Sequence, residues 1–131
     1  MKYICLGYFD EKEWEAMPEN EQDTIMDECF AFDEALRKNG TWISVGEALE
    51  SARSAVTLRC KDGKVLVTDG PYAETKEQLG GFGLLEATDL NHAIRPMSGH
   101  PAVKSGVIEI RPVADLNGMI QESERRRSPK S

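Results

Sequence analysis

Residues 2 to 9, KYICLGYF, carry apolar side chains on both faces of an extended chain. The run is short and rich in strand formers, so it predicts a central strand buried on both sides. Residues 10 to 15 are polar and predict a connection with at most a turn of helix, from which Trp14 folds back. The period then changes. Ile25, Cys29, Phe32 and Leu36 recur at helical spacing, supported by Met26 and Phe30. Pro18 suits the first helical position, and Glu19, Glu21 and Asp23 complement the helix dipole. Arg37 and Lys38, followed by Asn39-Gly40, supply the stop. A helix over residues 18–39 follows, with a solvated acidic outer face.

Residues 41–49 predict a strand through Trp42, Ile43 and Val45, and residues 50–54 a loop. Val56, Leu58 and Cys60 then alternate with Thr57, Arg59 and Lys61, the pattern of a half-exposed strand. Asp62-Gly63 joins it to Lys64-Val65-Leu66-Val67-Thr68. An Asp-Gly pair between two strand patterns predicts a hairpin, because both turn positions take positive φ. The chain breaks at Asp69-Gly70-Pro71. Residues 81–87 read as another strand whose glycines imply close backbone approach or a bulge. Thr88 or Asp89 caps a second helix through Leu90, Ala93 and Ile94, which Pro96 cuts short or kinks. Ser98-Gly99-His100-Pro101 is a turn. Residues 105–111 form a last strand, with Ile108 and Ile110 on one face and Pro112 ending it.

The order is β–α–β, a β–β hairpin, then β–α–β. This is an α+β arrangement of ferredoxin-like βαββαβ type with an inserted β-hairpin. Its domain spans residues 1–113. Residues 114–131 form a tail: one amphipathic turn through Leu116, Met119 and Ile120, then a final stretch with little to bury, expected to be disordered. Two helices cover only one face of such a sheet, while residues 2–9 ask for burial on both. A second subunit is the natural cover, which predicts a homodimer with sheets packed face to face.

Composition narrows the function. The chain has 131 residues, enough for one domain with its own core. Its net charge of -7 argues against direct nucleic-acid binding, which needs clustered cations. The acid lies early and Arg125-Arg126-Arg127 with Lys130 make the end basic. Cys5, Cys29 and Cys60 are widely spaced in apolar segments and read as buried free thiols. No Cys/His metal spacing, phosphate-cradling glycine loop or nucleophile elbow is present, so no cofactor or metal is expected. The first apolar run is too short for a secretory signal, and no stretch would span a bilayer, so a cytoplasmic protein is expected.

Candidate chemistry centres on residues 69–81. Asp69 either starts a tight turn by bonding its own backbone or presents a carboxylate at a strand end; both can hold together. Glu74 and Glu77 share a face if the segment is helical, and Glu74 and Lys76 share one if it is extended. Either way an acid neighbours a base, in a site or in an exposed charged loop. His100, in its turn, is a candidate general acid or base, whereas His92 reads as a surface residue. Glu47 is a strand-end carboxylate, and Tyr72 a hydrogen-bond donor for a ligand or a rim residue.

The stretch Asp69-Gly70-Pro71-Tyr72-Ala73-Glu74-Thr75-Lys76-Glu77-Gln78-Leu79-Gly80-Gly81 closely resembles the signature of the YCII-related proteins of the DGPF subgroup, usually DGPFAETKEQLGG. Tyr72 stands in place of Phe. The resemblance extends to Met1-Lys2-Tyr3, Gly46-Glu47-Ala48-Leu49, Asp62-Gly63-Lys64 and Glu109-Ile110-Arg111-Pro112. It implies a dimeric α+β barrel. Some relatives carry a His–Asp pair suggested to be catalytic. This chain has no His in its first half, so the resemblance carries over Asp69, with His100 as a substitute from another loop. Subgroup members also accompany extracytoplasmic-function sigma factors.

Two functions follow as expectations. The first is a small polar or anionic metabolite bound in a cleft lined by Glu47, Tyr72, Glu74 and Lys76. There Asp69 or His100 would act as acid or base in lyase- or hydrolase-type chemistry, with Lys76 stabilising developing negative charge. The second is a non-catalytic dimeric regulatory module whose partner is a sigma factor.

Overall fold

A computed structural model describes residues 1–129. The first strand, β1 (Lys2–Phe9), is central as its two-sided apolar pattern requires. It pairs antiparallel with β5 (Gln78–Glu86) on one side and β6 (Val107–Pro112) on the other. Strand β2 (Trp42–Ala48) adds to the far edge of β5, giving the order β2-β5-β1-β6. The fold is α+β. Strands β3 (Val56–Lys61) and β4 (Lys64–Asp69) form a separate two-stranded sheet. Their turn has φ of 51° at Asp62 and 76° at Gly63, the positive pair that the Asp-Gly dipeptide calls for.

Short helix α1 (Glu11–Ala16) starts on Asp10, whose carboxylate accepts the N–H groups of Lys12 and Glu13. Its Trp14 folds back edge-on to Phe9, with ring centroids 6.5 Å apart. Helix α2 spans Glu19–Lys38, with Pro18 one place earlier than its expected slot, at the N-cap. Helix α3 (Leu90–Ser98) is capped by Asp89. Pro96 does not cut α3 short. It lies inside the helix, which runs on because Met97 is buried in the core and that packing outweighs one lost hydrogen bond. A single turn, α4 (Ala102–Ser105), precedes β6. The tail forms α5 (Asn117–Arg127), longer than the expected single turn and helical into the stretch expected to be disordered. The end of that stretch, with Lys130, lies outside the described residues.

Register decides which side chains share a face. Tyr3 opposes Leu85, Cys5 opposes Gly83 and Gly7 opposes Gly81. On this face Tyr3, Cys5, Trp42 and Leu85 pack with Leu36 of α2 and with Ala93 and Met97 of α3, joined by Phe32, Ile108 and Ile110. No described helix packs over the centre of the other face. There Ile4, Leu6 and Leu84 are half-buried and Phe82 is exposed. One cysteine departs from the expectation of burial: Cys5 is buried and Cys29 half-buried, but Cys60 is exposed. It sits on the hairpin, where its alternating pattern finds nothing to pack against.

Candidate functional site

Between α2 and the sheet lies a cavity of about 710 Å³. Its floor is largely backbone, because Gly7, Gly80, Gly81 and Gly83 bring no side chains into it. Two glycines are fixed by space. A Cβ on Gly83 would stand 2.8 Å from the Trp42 ring. Gly46 has φ of +70°, and a Cβ there would land 1.8 Å from the Phe82 carbonyl oxygen. Phe9, Trp14, Met17, Ile25 and Cys29 supply apolar walls.

One polar cluster enters this apolar space. Asp33 sits on the inward side of α2, four residues after Cys29 and three before Leu36. Its Oδ1 receives the Trp42 indole N–H at 3.2 Å and lies 2.8 Å from His100 Nε2. The Ala102 N–H donates to His100 Nδ1 at 3.1 Å. Nδ1 is therefore the acceptor, and Nε2 carries the proton that reaches Asp33. Phe32 meets the imidazole edge-on at 5.2 Å. The His100 and Asp33 side chains are 10% and 22% exposed, so solvent screens the pair only weakly. Both imidazole nitrogens are occupied, which leaves His100 no free lone pair for a ligand. Asp33 Oδ2 has no protein partner among the described residues.

His100 and Glu47 line this cavity. Asp69, Tyr72, Glu74 and Lys76 do not. They lie at the end of β4 and in the exposed loop that follows. Asp69 pairs with Val56 at the hairpin's base. Arg59 stacks over the Tyr72 ring at 5.7 Å and donates to the Tyr72 carbonyl at 3.1 Å. The Gln78 amide holds the loop through the carbonyls of Ala73 and Thr75. Among the described residues neither Glu74 nor Lys76 joins a salt bridge, and none links Asp69 to His100. The histidine's partner is Asp33, which the sequence reading passed over. Its signal was present: an acid at a helix position whose neighbours four before and three after are apolar.

Burial pushes the Cys5 thiol up to about 11. Burial also raises Cys29, with Asp33 adding to it, so neither thiol is tuned as a nucleophile. On the open sheet face, burial raises the Tyr8 phenol, and Glu109, 3.3 Å away, adds to the rise. Among the described residues no three His, Cys, Asp or Glu side chains stand close enough to hold a metal ion. No described helix is long and apolar enough to cross a membrane.

A family model described as the YCII-related domain matches residues 1–117. A protein of Rhizobium meliloti (strain 1021), described as uncharacterized, is 35% identical over 118 residues. The match spans 87% of this chain and 93% of that protein.

Proposed function

The chain belongs to the YCII-related family, and from that premise we propose that the cavity beneath α2 binds a small molecule on which Asp33 acts as general acid or base. The observation that carries this reading is the carboxylate itself. It is held in an apolar cavity by two N–H donors on one oxygen, with the other oxygen free of protein partners. His100 and Trp42 fix the carboxylate's rotamer, and Oδ2 takes a proton from a carbon or hydroxyl of the ligand. Lyase-type proton abstraction is the chemistry that one such positioned carboxylate performs most directly. Acids dominate the charged lining, with Asp10, Glu13, Glu34 and Glu47 against Arg37. That balance favours a neutral or basic ligand with an apolar body over an anion. In this reading Asp69, Tyr72, Glu74 and Lys76 shape the hairpin's base and do not touch the ligand.

The strand order β2-β5-β1-β6, with the hairpin inserted after β2, supports a ferredoxin-like fold. The uncovered sheet face with Ile4, Leu6, Phe82 and Leu84 supports a homodimer closed into an α+β barrel. Three free thiols suit a reducing cytoplasm.

The test is a thermal-shift screen of small metabolites. A ligand of the native state raises the melting temperature by mass action. The shift should vanish in Asp33→Asn and persist in Asp69→Asn. A ligand whose shift survives Asp33→Asn but not Asp69→Asn would move the site to the loop.

A second reading rests on α5, which exposes Leu116, Met119 and Ile120 beside a basic end. It makes the chain a non-catalytic module that docks a regulatory protein such as a sigma factor. Loss of a captured sigma factor on deleting residues 114–131 is its signature.

A further inference from the structure

Strands β1 and β5 stay in register from Lys2 opposite Glu86 to Gly7 opposite Gly81. Tyr8 then opposes Leu79, which leaves Gly80 as one extra residue on β5. Such a bulge bends its strand and re-aims what lies on it. Here it brings bare backbone under Phe9. A Cβ on Gly80 would stand 2.4 Å from Phe9 Cε1 and 2.6 Å from Cδ1. The Leu49 N–H donates to the Gly80 carbonyl at 2.8 Å and ties the bulge to the chain just past β2. Phe9 is also backed. Trp14 meets its ring edge-on, and the Gln22 amide donates to the Trp14 carbonyl at 2.6 Å, joining α1 to α2 behind the ring.

Trp42 uses the space over Gly83 in the same way. Both rings line the cavity, and between them Gly7 and Gly81 oppose each other with no ring seated on either. Asp33 stands at the Trp42 end, where its Oδ1 takes the indole N–H. Gly80 lies three residues from Gly83 along β5, about 10 Å at the rise of a strand. A ligand headed by Asp33 Oδ2 therefore lays its apolar body along bare backbone and meets the Phe9 ring at the far end.

We infer that Phe9 is the specificity residue of this cavity: its ring, seated on the Gly80 bulge, is the end wall that sets how far an apolar body reaches from Asp33. The inference rests on reading the cavity as the ligand site, and it narrows the ligand to a hydrogen-bond-donating head on an apolar body of limited length. Phe9→Ala removes the wall and Phe9→Leu lowers it. Gly80→Ala puts a methyl where the ring lies and drives the ring into the chamber.

The probes are the straight-chain primary amines from propylamine to decylamine, titrated into the full chain by calorimetry. Each methylene that becomes buried should tighten binding about fourfold. In the wild type that gain should stop at one chain length. In Phe9→Ala the first amine past this break should again gain about fourfold. Phe9→Leu should shift the break the same way, and serves if Phe9→Ala does not fold; Gly80→Ala should bring the break to a shorter amine. A purely structural Phe9 would weaken all the amines alike and leave the break in place. A break that stays put in the Phe9 or Gly80 variants, a series without a break, or no binding to the wild type overturns the inference. Asp33 is judged separately: Asp33→Asn should weaken every amine at least tenfold without moving the break. If Asp33→Asn changes no affinity while the Phe9 variants still move the break, the role of Asp33 falls and the wall stands.

Discussion

His100 donates from Nε2 to Asp33 Oδ1 at 2.8 Å, joining the turn before α4 to the C-terminal half of α2 across 67 residues of sequence. The same oxygen takes the Trp42 N–H, so one carboxylate oxygen ties α2, β2 and the α3–α4 turn together. Removing it strands two donors in a weakly solvated place. Asp33→Ala should lower unfolding free energy by about 2 kcal/mol, the usual loss when buried donors go unpaired. Asp33→Asn keeps an acceptor and should lose less than half as much. Urea denaturation of the three proteins at neutral pH makes the comparison.

Trp42→Phe separates positioning from packing. It keeps the aromatic ring against Gly83 but removes one donor to Asp33. A stability loss of about 1 kcal/mol is expected, the net worth of one hydrogen bond. If Asp33 is the acting group, ligand affinity in a titration should fall far less than in Asp33→Asn.

Two glycines of positive φ give a graded pair. Gly63 and Gly46 both have positive φ, but a Cβ on Gly63 meets nothing while one on Gly46 strikes the Phe82 backbone. Gly63→Ala should cost about 1 kcal/mol, the strain of the left-handed region alone. Gly46→Ala should cost at least twice that or prevent folding, since backbone cannot give way as a side chain can. Melting temperatures of the two variants decide it.

Thiol chemistry should follow burial. At pH 8 a thiol reagent should label exposed Cys60 first, Cys29 more slowly, and Cys5 only on unfolding. The folded Cys5 thiol is raised by burial from 9.0 to about 11. A raised folded value means that the neutral thiol is favoured by folding. This contribution is fully present below pH 9 and is lost as pH climbs through about 11. Cys5→Ala should flatten that alkaline part of the stability curve.

Much of the fold was legible because local chemistry and tertiary packing agree. The periodicity of Ile25, Cys29, Phe32 and Leu36 marked α2 to within a residue at its start. Asp62-Gly63 announced the hairpin that the positive φ values bear out. Pro96 did not end α3, because propensity knows nothing of the burial of Met97. The candidate site was harder. The loop from Asp69 to Lys76 draws the eye by charge and punctuation, yet its residues hold one another and stand clear of the cavity. Asp33 hid among the many acids of α2, and only its place on the apolar stripe sets it apart. That His100 meets it is a product of chain path, which no local pattern encodes.

The glycine floor also bears on how this cavity can change over generations. Glycine is the smallest residue, so every substitution at Gly7, Gly81 or Gly83 makes the chamber shallower and none deepens it. Variation that opens new room must come from the larger side chains around these glycines, such as Phe9, Trp14, Met17, Ile25 or Cys29. Relatives sharing this backbone would then widen what they admit only through those side chains, over glycines that can do no more than fill the chamber.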